Sequence, residues 1–148
     1  MLRWREFKTA APKIASIGEK LLFNPDSGKV AILASIDAKN QPWTAPFCPI
    51  FAGEGMYILS AANTPKTSHL TRNSQYALHA MLGEDDLEFQ VSGAARSVLN
   101  TTERSLVLNA IPFPNYDPND PIFELLIARA LTVTWPKPGK CNKLTWKL

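Results

Sequence analysis

Within eleven residues, Gln41 to Phe51 (QPWTAPFCPIF), three prolines interrupt a run of aromatic and β-forming side chains. Proline carries no backbone N–H, so this segment cannot be a fully hydrogen-bonded central strand. It is expected to be an edge or bulged strand with some backbone groups free. Before it, Val30 to Ile36 (VAILASI) reads as a buried strand, and Asp37-Ala38-Lys39-Asn40 has the composition of a hairpin turn. After it, Gly53-Glu54-Gly55 forms a second tight turn into the strand Met56 to Ser60.

The remaining segments follow the same style. Thr9 can cap a helix with Pro12 in its first turn, and Ile14, Ile17, Leu21 and Leu22 then recur on one face until Asn24-Pro25 stops it. Asp26-Ser27-Gly28 turns the chain toward the first strand. Thr64 and Pro65 supply an N-cap and first position for a short helix through Arg72. Tyr76 to Leu82 and Leu87 to Val98 read as strands joined by an acidic turn, Gly83 to Asp86, whose carboxylates are expected to be solvated. Asn100 and Glu103 form a capping box for a helix Thr101 to Ala110. A proline-rich loop, Pro112 to Pro121, is either a substrate-side wall or a packing loop. Asp120-Pro121 opens a short helix to about Ala128, Ala130 to Trp135 is one more strand, and Lys143 to Leu148 the last. Short strands in hairpins with three or four helices indicate a mainly β, antiparallel barrel or α+β architecture, in one domain spanning residues 1–148. A small sheet with proline-interrupted margins is expected to dimerise to finish its core.

Composition narrows the function classes. Sixteen Lys and Arg against 13 acidic residues give a net charge of +3 with no basic run, so small anions rather than nucleic acid are the expected partners. No apolar stretch is long enough for a membrane span and the N-terminus has no apolar signal region, so a cytoplasmic protein is expected. Cys48 and Cys141 lack metal or redox spacing and are expected to be free, buried thiols. No metal site is expected. His79 sits in an apolar strand as a packed or hydrogen-bonded residue, and neither it nor His69 is partnered in sequence with a nucleophile and an acid. Dinucleotide and P-loop glycine patterns are absent.

What remains is an anion site at the start of the Thr64-capped helix. There the amides of Lys66, Thr67 and Ser68 are expected to be unpaired beside the Lys66 ammonium. The strand Thr44 to Phe47 lies one hairpin away. A phosphate at the helix and a flat polar ring against free strand amides would together hold a flavin mononucleotide.

The order of these signals, from FNPDSGKVAILASIDAKNQPWTAPFCPIF through GEGMYILSAANTPKTSHLTRNSQYALHAML to EFQVSGAARSV, resembles the pyridoxamine 5'-phosphate oxidase-like family of FMN-binding split barrels over about residues 7–99. The resemblance implies an antiparallel split β-barrel and a homodimer with two FMN sites at the interface, each taking residues from both subunits. By position, Lys66 matches the phosphate-binding lysine, and Thr67 and Ser60 match polar phosphate-side positions. Thr44, Ala45, Pro46 and Phe47 match the strand lining the isoalloxazine, and Gln90 lies near a position that reaches the ring. The flavin would carry the chemistry, with no catalytic side chain needed, on a small, planar substrate. The alternative is a binding module for flavin, heme or the deazaflavin F420. Trp43 stands where many members have arginine and Pro65 where many have a second basic residue, so fewer charges would hold the phosphate. The C-terminal stretch lacks the arginine-x-histidine signature of pyridoxamine phosphate oxidases, so a different substrate is expected.

Overall fold

The computed structural model describes residues 1–24 and 28–148. The expected stop at Pro25 and most of the turn at Asp26-Ser27 lie outside the described residues. The elements in order are α1 (Trp4–Ala10), α2 (Pro12–Leu22), β1 (Ala31–Ile36), β2 (Pro42–Phe47), β3 (Ile50–Ala52), β4 (Gly55–Leu59) and α3 (Pro65–Arg72). They continue with β5 (Gln75–Ala80), a 3-10 turn (Glu84–Asp86), β6 (Glu88–Ser97), α4 (Thr101–Leu108), β7 (Ile122–Lys137) and β8 (Lys140–Lys147). The strands form one antiparallel sheet in the order β2-β1-β5-β6-β7-β4-β3, with β8 on the second half of β7. This curled sheet with helices beside it is a split barrel.

The proline-marked segment falls at both margins at once. β2 ends the sheet on one side and β3 on the other, and Cys48-Pro49 joins them. The hairpin explains how β2 tolerates its prolines. Asp37 N–H donates to the Gln41 carbonyl at 3.0 Å, and Trp43, Ala45 and Phe47 stand opposite Ser35, Leu33 and Ala31. Alternation along an antiparallel ladder then turns the backbone groups of Pro42, Thr44 and Pro46 away from β1, toward the open margin. Two of these three residues have no N–H to leave unpaired, and of the three Thr44 alone presents an amide there, with no partner among the described residues.

The inner face carries the core. Leu33, Leu78, Phe89, Val91, Phe123, Leu125 and Ile127 are buried against Trp4, Phe7, Ile14, Leu21 and Leu22 of the N-terminal helices. The alternation expected for Phe89 and Val91 is observed, and Gly18 of α2 lies so close to the Phe89 ring that an added Cβ would come within 2.4 Å of it. A smaller cluster, Ile50, Tyr57, Val98, Val107 and Ile122, lies under α4.

Several expectations are corrected. Thr9 does not start a helix but lies inside α1, whose first turn is closed by the Glu6 carboxylate accepting from Arg3 N–H at 2.8 Å. Trp4 and Phe7, three apart and both buried, give α1 its apolar face. The short helix expected from Asp120-Pro121 to Ala128 is instead the first half of β7, continuous with the strand expected at Ala130 to Trp135. The local cap signal is outweighed because this run pairs with β6 along its length and with β4 at Ile122–Glu124. Its Glu124, only 1% exposed, is neutralised by Arg3 and Arg96, which satisfies a charge that would otherwise forbid a buried strand. The Tyr57 phenol, which donates to Glu103 and accepts from Arg3 beside that carboxylate, is pushed up to about 12, chiefly by burial. The Cys141 thiol is exposed rather than buried, and Cys48 is partly buried; both are free.

β6 carries a register shift between Ser92 and Gly93 against β7. A Cβ at Gly93 would lie 1.9 Å from the Leu126 carbonyl oxygen, so only glycine lets the two strands meet there. Gly93→Ala is expected to cost at least about 2–3 kcal/mol, since the obstacle is backbone rather than a movable side chain. Urea unfolding of the two proteins measures this directly.

Candidate functional site

α3 and β2 meet at the open margin of the sheet. Pro65 occupies the first helical position, and Thr64 holds the cap position with extended backbone. Its side chain does not cap the helix: Oγ1 donates to the Ala61 carbonyl at 2.8 Å. Ser68 N–H is not free as expected, because it bonds back to the Thr64 carbonyl at 3.2 Å. The amides of Lys66 and Thr67 have no partner among the described residues, and with Pro65 lacking an N–H they are the helix's open donors. The Lys66 ammonium has no ion pair among the described residues and lies 4.7 Å from the centroid of the Phe47 ring at the end of β2. Two open amides, a helix N-terminus and an unneutralised ammonium form a setting for an anion.

Ser60 and Thr67 are brought together, but not as free donors. They are 1% and 6% exposed, and their hydroxyl oxygens are 2.6 Å apart. Thr67 Oγ1 donates to the Ala61 carbonyl at 2.7 Å, which leaves Ser60 to donate to Thr67. Both hydroxyl hydrogens are thus used inside the β4–α3 connection, fixing the helix start rather than reaching outward. The end of the proline-rich loop supports the same connection: Asp120 Oδ1 accepts from Ala62 N–H at 3.1 Å and the Pro121 carbonyl from Ser60 N–H at 3.0 Å. Elsewhere that loop packs, with Phe113 against the smaller cluster and Arg104 donating to the Pro118 and Asp120 carbonyls.

Thr44 and Pro46 line the outer face of β2, whereas Ala45 and Phe47 share the inner face with Trp43. Gln90 stands apart. It shares a row with His79, Ile32 and Pro46, so it lies three strands, roughly 14 Å, from β2 in the same chain. There it lines a surface groove of about 440 Å³ with Ser92, Arg129, Lys143 and Lys147. His79 is a hydrogen-bonded residue as expected, with Nδ1 2.5 Å from the Ala80 carbonyl and Nε2 3.8 Å from Glu88. No cluster of metal-ligating side chains is present among the described residues.

His69 is the residue that sequence reading left without a role. It is 8% exposed, its Nδ1 is 3.1 Å from Ser35 Oγ, and its ring lies 5.9 Å from that of Trp43. The usable signal was its spacing, one turn after Lys66 on the same helix face.

No protein-family model matches the sequence, and no curated protein matches it. Solved structures do. A NimC/NimA family protein from Clostridium acetobutylicum superposes with a TM-score of 0.66 at 16% identity, over 98% of this chain and 95% of that one. A protein of the pyridoxinephosphate oxidase family from the same organism, related to general stress protein 26 of B. subtilis, gives 0.64 at 10% identity over 97% and 96%. A heme-binding protein from Mycobacterium smegmatis gives 0.61 at 17% identity over 80% of this chain, which spans only 53% of that one. The fold is therefore the split barrel of pyridoxamine phosphate oxidase-like proteins. The solved structures similar in fold to this chain thus include a protein of the pyridoxinephosphate oxidase family and a heme-binding protein.

Asp37 controls the Trp43 side of the site. Its Oδ1 accepts from Lys39 and Gln41 N–H, and its Oδ2 from Trp43 Nε1 at 3.1 Å. These bonds, the one from Gln41 foremost, hold its carboxyl below the usual value. A depressed carboxyl stabilises the fold above its unfolded pKa of about 3.9 and loses that contribution as pH falls through its lower folded value. Acidification below about pH 4 is thus expected to free Trp43, seen as a change in indole fluorescence that Trp43→Phe removes and Asp37→Asn produces already at pH 7.

Proposed function

We propose that the chain is an FMN-dependent oxidoreductase whose cofactor phosphate sits at the start of α3 and whose flavin ring lies along the margin formed by β2. The observation that carries this reading is the convergence, on one open sheet margin, of the Lys66 ammonium, the unpartnered Lys66 and Thr67 amides, and the free amide of Thr44. Bound FMN would supply two-electron redox chemistry. The protein's part is to bind and orient: Lys66 and its helix amides neutralise the phosphate, Ser60 and Thr67 fix the helix start, and Ala45 and Phe47 with Thr44 and Pro46 shape the strand beside the ring. The substrate is proposed to be small and planar, stacking over that ring.

A homodimer with sites at the interface is part of this proposal, and two features support it. The outer face of β1, β5 and β6 carries small, half-buried or exposed residues such as Ala34, Ala77 and Ser92, and it is on this face that the second copy is proposed to pack. Gln90, too far from β2 within one chain, would then reach the ring from the other copy. No helix among the described residues is long and apolar enough to cross a membrane, in keeping with the proposed cytoplasmic location. The heme-binding neighbour favours a second reading, in which the same margin holds heme, flavin or F420 for storage, sensing or shuttling without turnover.

Lys66→Ala removes one charge-assisted contact, about 1.5–3 kcal/mol, so FMN affinity is expected to fall about 10- to 150-fold. Flavin fluorescence titration measures it, and unchanged affinity would remove Lys66 from the site. Anaerobic stopped-flow mixing of the FMN-loaded protein with NADH or NADPH separates the readings: bleaching of the flavin band is expected of the oxidoreductase, and its absence with both donors favours the binding module.

A further inference from the structure

Ser35 on β1 is 3% exposed, and its hydroxyl has one hydrogen-bond partner among the described residues, the Nδ1 of His69. A buried hydroxyl hydrogen with no acceptor is costly. The arrangement that satisfies it has Ser35 Oγ–H donating to Nδ1, and the neutral imidazole then carries its own hydrogen on Nε2. That Nε2–H has no partner among the described residues. It is not sealed in, because no fully buried side-chain nitrogen or oxygen among the described residues lacks a partner; the small exposed part of His69 therefore includes Nε2. The groups around the ring are Ser35 from β1, Trp43 from β2 and Asp37 from the turn between them, while Lys66 and Arg72 are the other charged residues of α3.

We infer that His69 is a ligand-contacting residue of the Lys66 site, presenting an Nε2–H donor in a tautomer that Ser35 fixes as a positioning residue. Lys66 meets β2 at Phe47 and His69 meets it at Trp43. These two positions lie four residues apart on the inner face of β2, roughly 13 Å, with Ala45 between them. A ligand engaging both is elongated, anionic at the Lys66 end and carrying an acceptor oxygen or nitrogen at the His69 end: an organic phosphate with a heteroatom-bearing ring. This rests on the reading of the margin as the flavin site and adds to it the residue that meets the ring end.

Long-range 1H–15N correlation spectra of histidine-labelled protein at pH 8 test it, with FMN as the first probe and pyridoxine 5'-phosphate, a shorter ring phosphate, as the second. The expected result is a single Nε2–H tautomer for His69 in the free protein and a shift of its Nε2 signal when FMN saturates the site. Ser35→Ala is expected to mix the tautomers and weaken FMN about fivefold, Ser35→Thr to restore both, and His69→Gln to weaken FMN about tenfold. An Nδ1–H tautomer in the wild type, or an Nε2 signal unmoved by both probes, overturns the inference. FMN binding with a silent Nε2 also overturns it while leaving the flavin reading intact. A response to pyridoxine 5'-phosphate without FMN binding upholds the inference and removes the flavin reading.

Discussion

A β-ladder needs an N–H at every second residue on each side of a strand, and proline cannot supply one. In this chain that constraint acts at Pro42 and Pro46, whose backbones face away from β1. The segment can be hydrogen-bonded on one side only, so β2 must end the sheet. Pro49 interrupts pairing again, and the next three residues join the opposite margin as β3. The barrel is split because the chain crosses from one margin to the other through residues that cannot be zipped together. The open edge that results would be a pairing hazard in a sheet of ordinary composition. Here the two prolines leave only Thr44 with an outward amide, which blunts the edge for another strand and keeps it available to a ligand.

The site is rigid for reasons that lie behind it. Ser60, Thr64 and Thr67 spend their hydroxyls on one another and on the Ala61 carbonyl, while Asp120 and Pro121, just before β7, clamp the same connection. The helix start is therefore set by five hydrogen bonds before any ligand arrives, and preorganisation of this kind lowers the entropic cost of binding. On the other side, Asp37 fastens Trp43 and closes the β1–β2 turn with one carboxylate. The polar side chains nearest the margin divide into those that build the cleft and those that remain open to it, and Lys66 and His69 belong to the second group.

Much of this was legible in the sequence. The hairpins, the Thr64-Pro65 helix start, the edge-or-bulge character of the proline segment and a mainly β antiparallel architecture follow from turn chemistry and from the missing proline N–H, which act over a few residues, while the split barrel itself is what the family resemblance implies. The errors arise where distant contacts override local preference. Asp120-Pro121 has the marks of a helix start, yet the run after it becomes a sixteen-residue strand because β6, β4 and β8 all pair with it. Glu124 could not be read as buried, since its two arginine partners lie 121 and 28 residues away. The family resemblance places Ser60 and Thr67 at polar phosphate-side positions, but a hydroxyl's single hydrogen is assigned by three-dimensional neighbours. His69 carries no role in sequence because its partners, Ser35 and Trp43, come from two other elements.

On the proposed reading, α3 and the β2 margin together form the flavin site. Backbone 1H–15N chemical-shift mapping of the uniformly labelled protein, titrated with FMN, tests it most directly. The account predicts that the largest shifts fall on the amides of Lys66, Thr67 and Thr44, with smaller ones at Ala45 and Phe47. Shifts confined to the Arg129, Lys143 and Lys147 groove, or scattered without saturation, would contradict it.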